Sequence, residues 1–215
     1  MFKKNRLTSV QTVDLVEKQV YEFLKLSGFK KYGRTLGRFV DTDMFQVVNF
    51  QIITPGKINL KTGEIKNEKK QKLVINLGIR IPECAERTFS PVKNEKYYHE
   101  YDCNIRSEIA CKFPLERKSE KIAKDIISEL EKYVLPVFNV LSTRESVLSG
   151  RKKRLEFDQF HANMVLLDEA MIYGRLGHVD KATELFNEHY RLTDHRGHLE
   201  YLETLADKLG IELNK

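Results

Sequence analysis

Residues 72–81 alternate strictly between two kinds of side chain, and this alternation commits the chain to a fold built on a β-sheet. One set of positions is entirely apolar: Leu73, Ile75, Leu77, Ile79 and Ile81. The positions between them run from Lys72 to Arg80 and are mostly polar. Because successive side chains of a strand point to opposite faces, this strand has one covered face and one polar face. Pro82 ends it.

Three further segments in the first half of the chain indicate strands. Residues 34–40 and 44–53 are rich in β-branched and aromatic side chains, and residues 97–109 resume the alternation. Residues 83–96 and the lysine-rich residues 57–72 are typical of solvated connections. Since these connections are short or moderate in length, we predict an antiparallel sheet of about four strands.

Apolar residues at helical spacing flank this predicted sheet. Thr8 and Gln11 form a capping-box pattern that begins a first helix, and Gly28 can end it. A second helix is marked by apolar positions from residue 122 to residue 134 and is ended or kinked by Pro136. The predicted fold class is therefore α+β, with helices flanking the sheet.

The rest of the chain divides into a basic linker and a helical segment. Apolar spacing after residue 158 predicts three helices, the last of them stopped by Gly210. The preceding segment contains Arg-Lys-Lys-Arg at residues 151–154 and a Ser-Gly pair, as linkers do. We predict an α+β body over residues 1–141, a basic linker over 142–157 and a helical cap over 158–215.

The net charge of +6 is unevenly distributed along the 215 residues. Residues 1–157 carry 31 Lys and Arg against 20 Asp and Glu, whereas residues 158–215 carry 6 against 11. A basic body can contact nucleic acid, and it can equally dock against its own acidic cap. Charge alone does not choose between these two interpretations.

Neither a membrane span nor an export signal is expected. No run of 18 apolar residues occurs, and the basic N-terminus is not followed by an apolar core. Cys84, Cys103 and Cys111 form no CxxC pair and fit the reduced thiols of a cytoplasmic protein. We therefore expect a cytoplasmic protein without a membrane partner.

Four blocks of sequence stand out between residues 8 and 140. They are Gly28-Phe-Lys-Lys-x-Gly33-Arg-Thr with Arg38-Phe39, Val47-Val-Asn-Phe-Gln51, Asn76-Leu-Gly-Ile-x-Ile-Pro82 and Cys103-x-Ile-Arg106. In order and spacing they resemble a mainly bacterial family, domain-of-unknown-function family 4304. The resemblance implies an α+β fold and no activity, because the family has none assigned. The chain departs from the family in having no tryptophan and a longer lysine-rich segment.

A second pattern lies in the predicted cap. Tyr173 followed by Gly177-His-Val-Asp-Lys-Ala182-x-x-x-Phe186 resembles one tetratricopeptide repeat, although His189 and Asp194 stand where alanine and proline are usual. The resemblance implies a helical hairpin. Because one repeat cannot bury its own apolar face, the cap must pack on the body or on a second chain.

Patterns for catalysis, metal or cofactor binding are weak in this sequence. His189, His195 and His198 are not one helical turn apart, as a two-histidine metal motif requires. Cys103 and His99 are too far apart along a strand to form a nucleophile–base pair. No glycine-rich phosphate loop followed by lysine occurs. We expect no cofactor and no metal, and name no catalytic residue.

The polar side of the predicted sheet is the candidate ligand-binding surface. Its amides and guanidinium groups could recognise a carboxylate, a phosphate or a peptide backbone. The candidate residues are Arg34, Arg38, Asn49, Gln51, Asn76, Arg80, Asn104 and Arg106. The alternative is an ordinary solvated face. Which face of the sheet Asn49 and Gln51 occupy stays open, because the apolar Val47 lies on the same side of the strand.

These observations favour a non-catalytic protein that binds another protein or regulates it. The first alternative is nucleic-acid binding through the basic body, and the second is an enzyme with an unrecognised site. The sequence leaves the oligomeric state open.

The nucleic-acid alternative makes a direct prediction. If the lysine-rich segment contacts phosphates, reversing the charges of Lys69, Lys70 and Lys72 to Glu weakens binding of a nucleic acid, because fewer counterions are released. Fluorescence anisotropy with an oligonucleotide at low salt measures this affinity. An affinity that does not change on charge reversal rules the segment out as a phosphate contact.

Overall fold

A seven-stranded antiparallel sheet organises the described chain, and a two-stranded sheet stands apart from it. The computed structural model describes residues 7–58, 65–67, 70–85, 96–109, 112–152, 160–162 and 165–214. The strands are β1 Lys30–Tyr32, β2 Thr35–Val40, β3 Met44–Ile53, β4 Gly56–Ile58, β5 Ile65–Asn67, β6 Lys72–Arg80, β7 Ile105–Glu108, β8 Phe113–Pro114 and β9 Phe160–Ala162. The order is β1-β2-β3-β6-β7-β9, with β8 pairing the start of β6 and β4–β5 forming a separate hairpin.

The predicted α+β class and the antiparallel sheet are confirmed, while the number of strands is larger than expected. The added strands β1, β8 and β9 have two or three residues each, which is too short for a period-2 pattern to be visible. The lysine-rich connection contains the hairpin β4–β5. Residues 97–109 form a strand only over Ile105–Glu108, because Glu100–Asp102 make a 3₁₀ turn instead.

The helices are α1 Ser9–Leu24, α2 Pro82–Ala85, α3 Ser119–Glu129, α4 Leu135–Val140, α5 Arg144–Lys152, α6 Leu166–Arg175, α7 Val179–Arg191 and α8 Arg196–Leu209. The capping box is confirmed: the Gln11 amide donates to Thr8 Oγ1 (3.2 Å), and the Thr8 amide donates to Gln11 Oε1 (2.9 Å). The buried stripe of α1, from Val13 to Leu24, packs into the main core beside the sheet. No described helix is long and apolar enough to cross a membrane.

Pro136 does not end its helix. A π-helical turn over residues 130–134 joins α3 to α4, and Pro136 lies at the start of α4. Proline clashes with the carbonyl four residues before it in a regular helix, and here that residue, Lys132, lies in the widened turn. The helix therefore changes its geometry and continues.

The C-terminal helices pack on the body of their own chain. Strand β9 pairs with β7, with His161 opposite Arg106, so the predicted cap supplies an edge strand to the body's sheet. Leu167, Ile172 and Phe186 belong to the same apolar core as α1 and the central strands. Helix α5 occupies residues 144–152 of the segment that the sequence marks as a linker.

Arg144, the first residue of α5, holds three separate segments together. Its side chain is 4% exposed. The Nε and Nη2 atoms donate to the two carboxylate oxygens of Glu83 (both 2.8 Å), while Nη1 donates to Asp41 (3.0 Å) and Nη2 also to Asp43 (2.6 Å). These hydrogen bonds, above all those to Glu83, raise the pKa of the Arg144 guanidinium despite its burial. The β2–β3 turn, α2 and α5 are thereby fixed to one another.

We predict that Arg144→Ala lowers the free energy of unfolding by about 3–5 kcal/mol, because it removes the shared cation of three carboxylates in a partly buried site and leaves only Asp43 a second, longer ion pair, with Arg175 (3.6 Å). The matched control is Arg117→Ala, which removes a more exposed pair with Asp125 and should cost about 1 kcal/mol or less. Urea unfolding followed by circular dichroism measures both. Equal losses in the two variants would contradict the structural role of Arg144.

Candidate binding surface

The two faces of the sheet are covered differently. One face packs against α1 and α3 and is sealed by buried side chains such as Leu36, Val48 and Ile75. The opposite face, here called the outer face, consists of cross-strand rows, because directly paired residues of antiparallel strands point to the same side. The rows are Thr35–Asn49–Asn76–Glu108, Gly37–Val47–Gly78–Arg106 and Phe39–Phe45–Arg80.

The outer face is less polar than the alternation predicts. Phe45, Val47 and Cys103 form a second, small apolar core on it, against which Tyr32, Tyr97 and Tyr98 pack. Residues 97–103 cross this face as a covering layer. Gly78 makes this close approach possible, because a Cβ there would lie 2.5 Å from Cys103 Sγ. Gly37 makes room for the Phe45 ring of the neighbouring strand, which a Cβ would overlap.

An array of aromatic side chains results from this layer. Its members are Tyr32, Phe39, Phe45, Tyr97, Tyr98, His99 and Tyr101. The Tyr32 and Tyr97 rings stack with centroids 4.7 Å apart, and the His99 and Tyr101 rings stack at 5.0 Å. At its margins Phe39 is 49% and Tyr101 58% exposed. The array therefore presents large rings to solvent from positions fixed by packing.

Polar groups beside the array are joined by hydrogen bonds. Asn49 Nδ2 donates to Thr35 Oγ1 (2.9 Å), which also contacts His99 Nδ1 (3.0 Å). Asn76 Nδ2 donates to Gln51 Oε1 (2.9 Å). These contacts orient the carboxamides along the face, so that their remaining donors and acceptors have fixed directions.

Arg80 is the buried charge of the outer face. The residue is 8% exposed, and its guanidinium carbon lies 3.9 Å from the centroid of the Tyr98 ring. In the part of the chain that the structure describes, Arg80 makes no ion pair or hydrogen bond, and its Nε is buried without a partner. Glu100 Oε2 is likewise buried without a hydrogen-bond partner among the described residues.

Most of the predicted candidate residues lie on the outer face, and one lies at its margin. Asn49, Gln51, Asn76, Arg80 and Arg106 lie on the outer face. Asn104 lies at its margin, where its Oδ1 accepts from the Ile81 amide (2.9 Å). Arg106 donates to the carbonyl oxygens of Cys103 (2.8 Å) and Tyr101 (2.5 Å), so it partly anchors the covering layer.

Arg34 and Arg38 are not brought to this face. Arg34 Nη2 lies 3.4 Å from Asp14 Oδ1 on α1. Arg38 shares the helix-covered side with Leu36 and donates to Gln46 Oε1, the Ser27 carbonyl and Asn139 Oδ1 (2.8, 2.8 and 2.9 Å). The grouping of these two arginines with the polar face was therefore wrong, since the alternation of β2 points Arg38 toward the helices.

The aromatic residues 97–101 are absent from the predicted candidates, because strand alternation over residues 97–109 put Tyr101 on the side opposite the candidates Asn104 and Arg106. The sequence feature that indicates them is the run Lys96-Tyr-Tyr-His-Glu-Tyr101, which is rich in aromatic side chains. Such a run next to a strand of alternating pattern indicates a surface with amphipathic rings.

The other candidate groups have structural contacts. Burial raises the pKa of the Cys103 thiol, and its Sγ faces the His99 carbonyl oxygen (3.4 Å), while the His99 ring contacts Thr35. A protonated, buried thiol is a poor nucleophile. His189 and His198 face each other (Nε2–Nε2 3.3 Å), but no group of three metal-capable side chains converges within the described ranges.

A separate concavity of about 340 Å³ lies between α6, α7 and the end of α8. Its walls include Ala170, Met171, Val179 and Leu209, with Arg175 at one side. Glu83 of α2 also lines it, so the concavity lies between α2 and the C-terminal helices and combines an apolar wall with two charged side chains.

Comparison with protein families identifies the family of the sheet region. A family model described as Domain of unknown function (DUF4304) matches residues 20–140, which is more than half of the chain. The match spans strands β1 to β8 and ends with α4. No curated protein and no solved structure matches the chain. The C-terminal helices lie outside the matched range, so their resemblance to a tetratricopeptide repeat stays a prediction.

We predict that Gly78→Ala destabilises the protein by about 1–3 kcal/mol, because the added methyl group overlaps the buried Cys103 side chain that closes the covering layer. The control is Gly174→Ala on α6, where the new Cβ would lie 3.7 Å from Ala182, an ordinary contact. Because alanine favours helices over glycine, this variant should be neutral or stabilised by up to about 1 kcal/mol. Thermal unfolding distinguishes the two, and an unchanged Gly78→Ala variant would contradict the close packing of the layer.

Proposed function

The chain belongs to the DUF4304 family, and from that premise we propose that it is a non-catalytic protein-binding module whose outer face receives a partner protein. The observation that carries this proposal is the aromatic array, which exposes Phe39 and Tyr101 from a rigid sheet. Large exposed rings that are held in place cost little conformational entropy on binding. Aromatic side chains and arginine are also the residues enriched at the centres of protein interfaces.

The polar composition of the outer face supports a protein partner over a nucleic acid. Asn49, Gln51 and Asn76 offer both donors and acceptors, which suit the peptide groups of a protein. Three carboxylates, those of Glu100, Asp102 and Glu108, lie in the covering layer or on β7 beside it. These carboxylates offset the charges of Arg80 and Arg106 on the same face, so its described residues carry no surplus of positive charge, on which phosphate binding depends.

The cellular compartment and the role of the C-terminal hairpin are also part of the proposed function. The two described free thiols, Cys84 and Cys103, are buried and suit a reducing compartment, so we place the protein in a cytoplasm. We propose a regulatory role in a bacterial cell, since the family is mainly bacterial and the sequence indicates no catalytic residue. The α6–α7 hairpin, in which Gly174 lies close to Ala182, supports the helical-repeat resemblance of the C-terminal segment. In this proposal the hairpin acts as a support for the sheet.

The test compares two exposed tyrosines in a pull-down of tagged protein from nuclease-treated host lysate, measured by quantitative mass spectrometry. Tyr101→Ala removes a ring from the outer face, and Tyr133→Ala removes a ring of similar exposure (44%) from the helical side. We expect a stoichiometric partner with the unchanged protein and with Tyr133→Ala. Tyr101→Ala should reduce its recovery about thirty-fold, since a central tyrosine of an interface contributes about 2 kcal/mol.

Two other outcomes would contradict this proposal. If Tyr101→Ala recovers the same partner in the same amount, the interface is not the outer face. If every bound species disappears on nuclease treatment, the basic body binds nucleic acid and the protein-binding proposal fails.

A further inference from the structure

We infer that His189 and His198 form a binding site for a zinc ion between the last two helices of the chain. The two imidazoles face each other across the α7–α8 connection, with their Nε2 atoms 3.3 Å apart. The site lies in the C-terminal helices, so zinc binding there and protein binding by the outer face are tested independently of each other.

The distance between the two Nε2 atoms suits two ligands of one tetrahedral metal ion. Zinc binds histidine nitrogen at about 2.0–2.1 Å, usually with tetrahedral geometry. Two such bonds at the tetrahedral angle place their nitrogen atoms about 3.3–3.4 Å apart. Neighbouring ligands of an octahedral ion with the same bond length would be only about 2.9–3.0 Å apart. The observed 3.3 Å therefore agrees with tetrahedral coordination, and imidazole is a ligand that suits zinc.

Packing of the two helices fixes the histidines at this distance. His189 lies in the last turn of α7, and His198 lies in the first turn of α8. Phe186, three residues before His189, and Leu202, four residues after His198, are both fully buried in the main core. His195 caps α8, because its Nδ1 accepts from the His198 amide (3.3 Å). The two ligands are thus held together before the ion binds, which lowers the cost of binding.

Accessibility and charge also favour a cation at this place. Both imidazoles are half-buried, so an ion can reach them from solvent. Residues 158–215 carry 6 Lys and Arg against 11 Asp and Glu, and this negative surplus attracts cations. Among the described residues no third metal-capable side chain joins the pair, so water molecules complete the coordination. Two protein ligands and water make an open, exchangeable site, unlike a closed structural zinc site.

The spacing of the histidines along the sequence does not indicate this pair. A two-histidine motif with a spacing of four assumes a single helix, whereas His189 and His198 come from different helices and are nine positions apart. The competing interpretation of the contact is a plain hydrogen bond, in which one Nε2 carries a proton that the other accepts. When zinc binds, both neutral rings instead carry their proton on Nδ1, so a metal titration distinguishes the two interpretations.

The experiment titrates the full chain with ZnCl₂, and with MgCl₂ as the ion control, in an isothermal titration calorimeter. The variants are His189→Gln, His198→Gln and the matched control His178→Gln, which removes an exposed imidazole at the other end of α7. We expect zinc to bind, and each of the first two variants to raise its Kd at least about ten-fold, since loss of even an outer-shell partner typically costs that much. His178→Gln should bind zinc like the unchanged protein. Magnesium should not bind, because it requires oxygen ligands.

A second measurement identifies the ligand atoms in the unchanged protein and remains decisive if a variant fails to fold. Long-range ¹H–¹⁵N NMR spectra of the imidazole rings should show zinc-dependent shifts of Nε2 in His189 and His198, and none in His178. Absence of zinc binding, or zinc binding that either histidine variant retains at full strength, overturns the inference. The contact is then a hydrogen bond that only joins the two helices.

Discussion

The pairing of β3 with β6 is the constraint on which the rest of the structure depends. Nine residue pairs, from Phe45–Arg80 to Ile53–Lys72, join the two longest strands at the centre of the sheet. Because side chains alternate along each strand, a shift of one residue would exchange the two faces and expose the apolar core. This register sends Val48 and Ile75 toward the helices and Asn49 and Asn76 to the outer face.

The two faces then differ in how completely they are covered. The helix side is sealed by α1, α3 and the C-terminal helices, which share one apolar core. The outer side is covered by a short segment, residues 97–103, which leaves Phe39 and Tyr101 exposed. In the proposed function this incompletely covered aromatic face receives the partner. Cys103 contributes packing to it, since burial raises the pKa of its thiol and its Sγ faces the His99 carbonyl oxygen.

Much of the fold could be predicted from local patterns. The β3 segment agrees with its prediction over Met44–Ile53, and the capping box of α1 forms as its sequence indicates. Both features depend on residues that are close together along the chain. The candidate surface was predicted in part: the carboxamides and Arg80 follow from strand alternation, whereas Arg38 was misplaced because its strand neighbours gave no sign of which side the helices cover.

The sequence by itself determined the longer elements, such as β3, β6 and α1, because apolar periodicity and capping act within a few residues. Only the tertiary structure decided which charges are buried and with which partners. Arg144 meets Glu83 and Asp41 across 61 and 103 positions of the chain, a pairing that no local pattern contains. The burial of Arg80 beneath Tyr98 has the same origin, since it requires residues 97–103 to fold back over a face on which Gly78 leaves room for them.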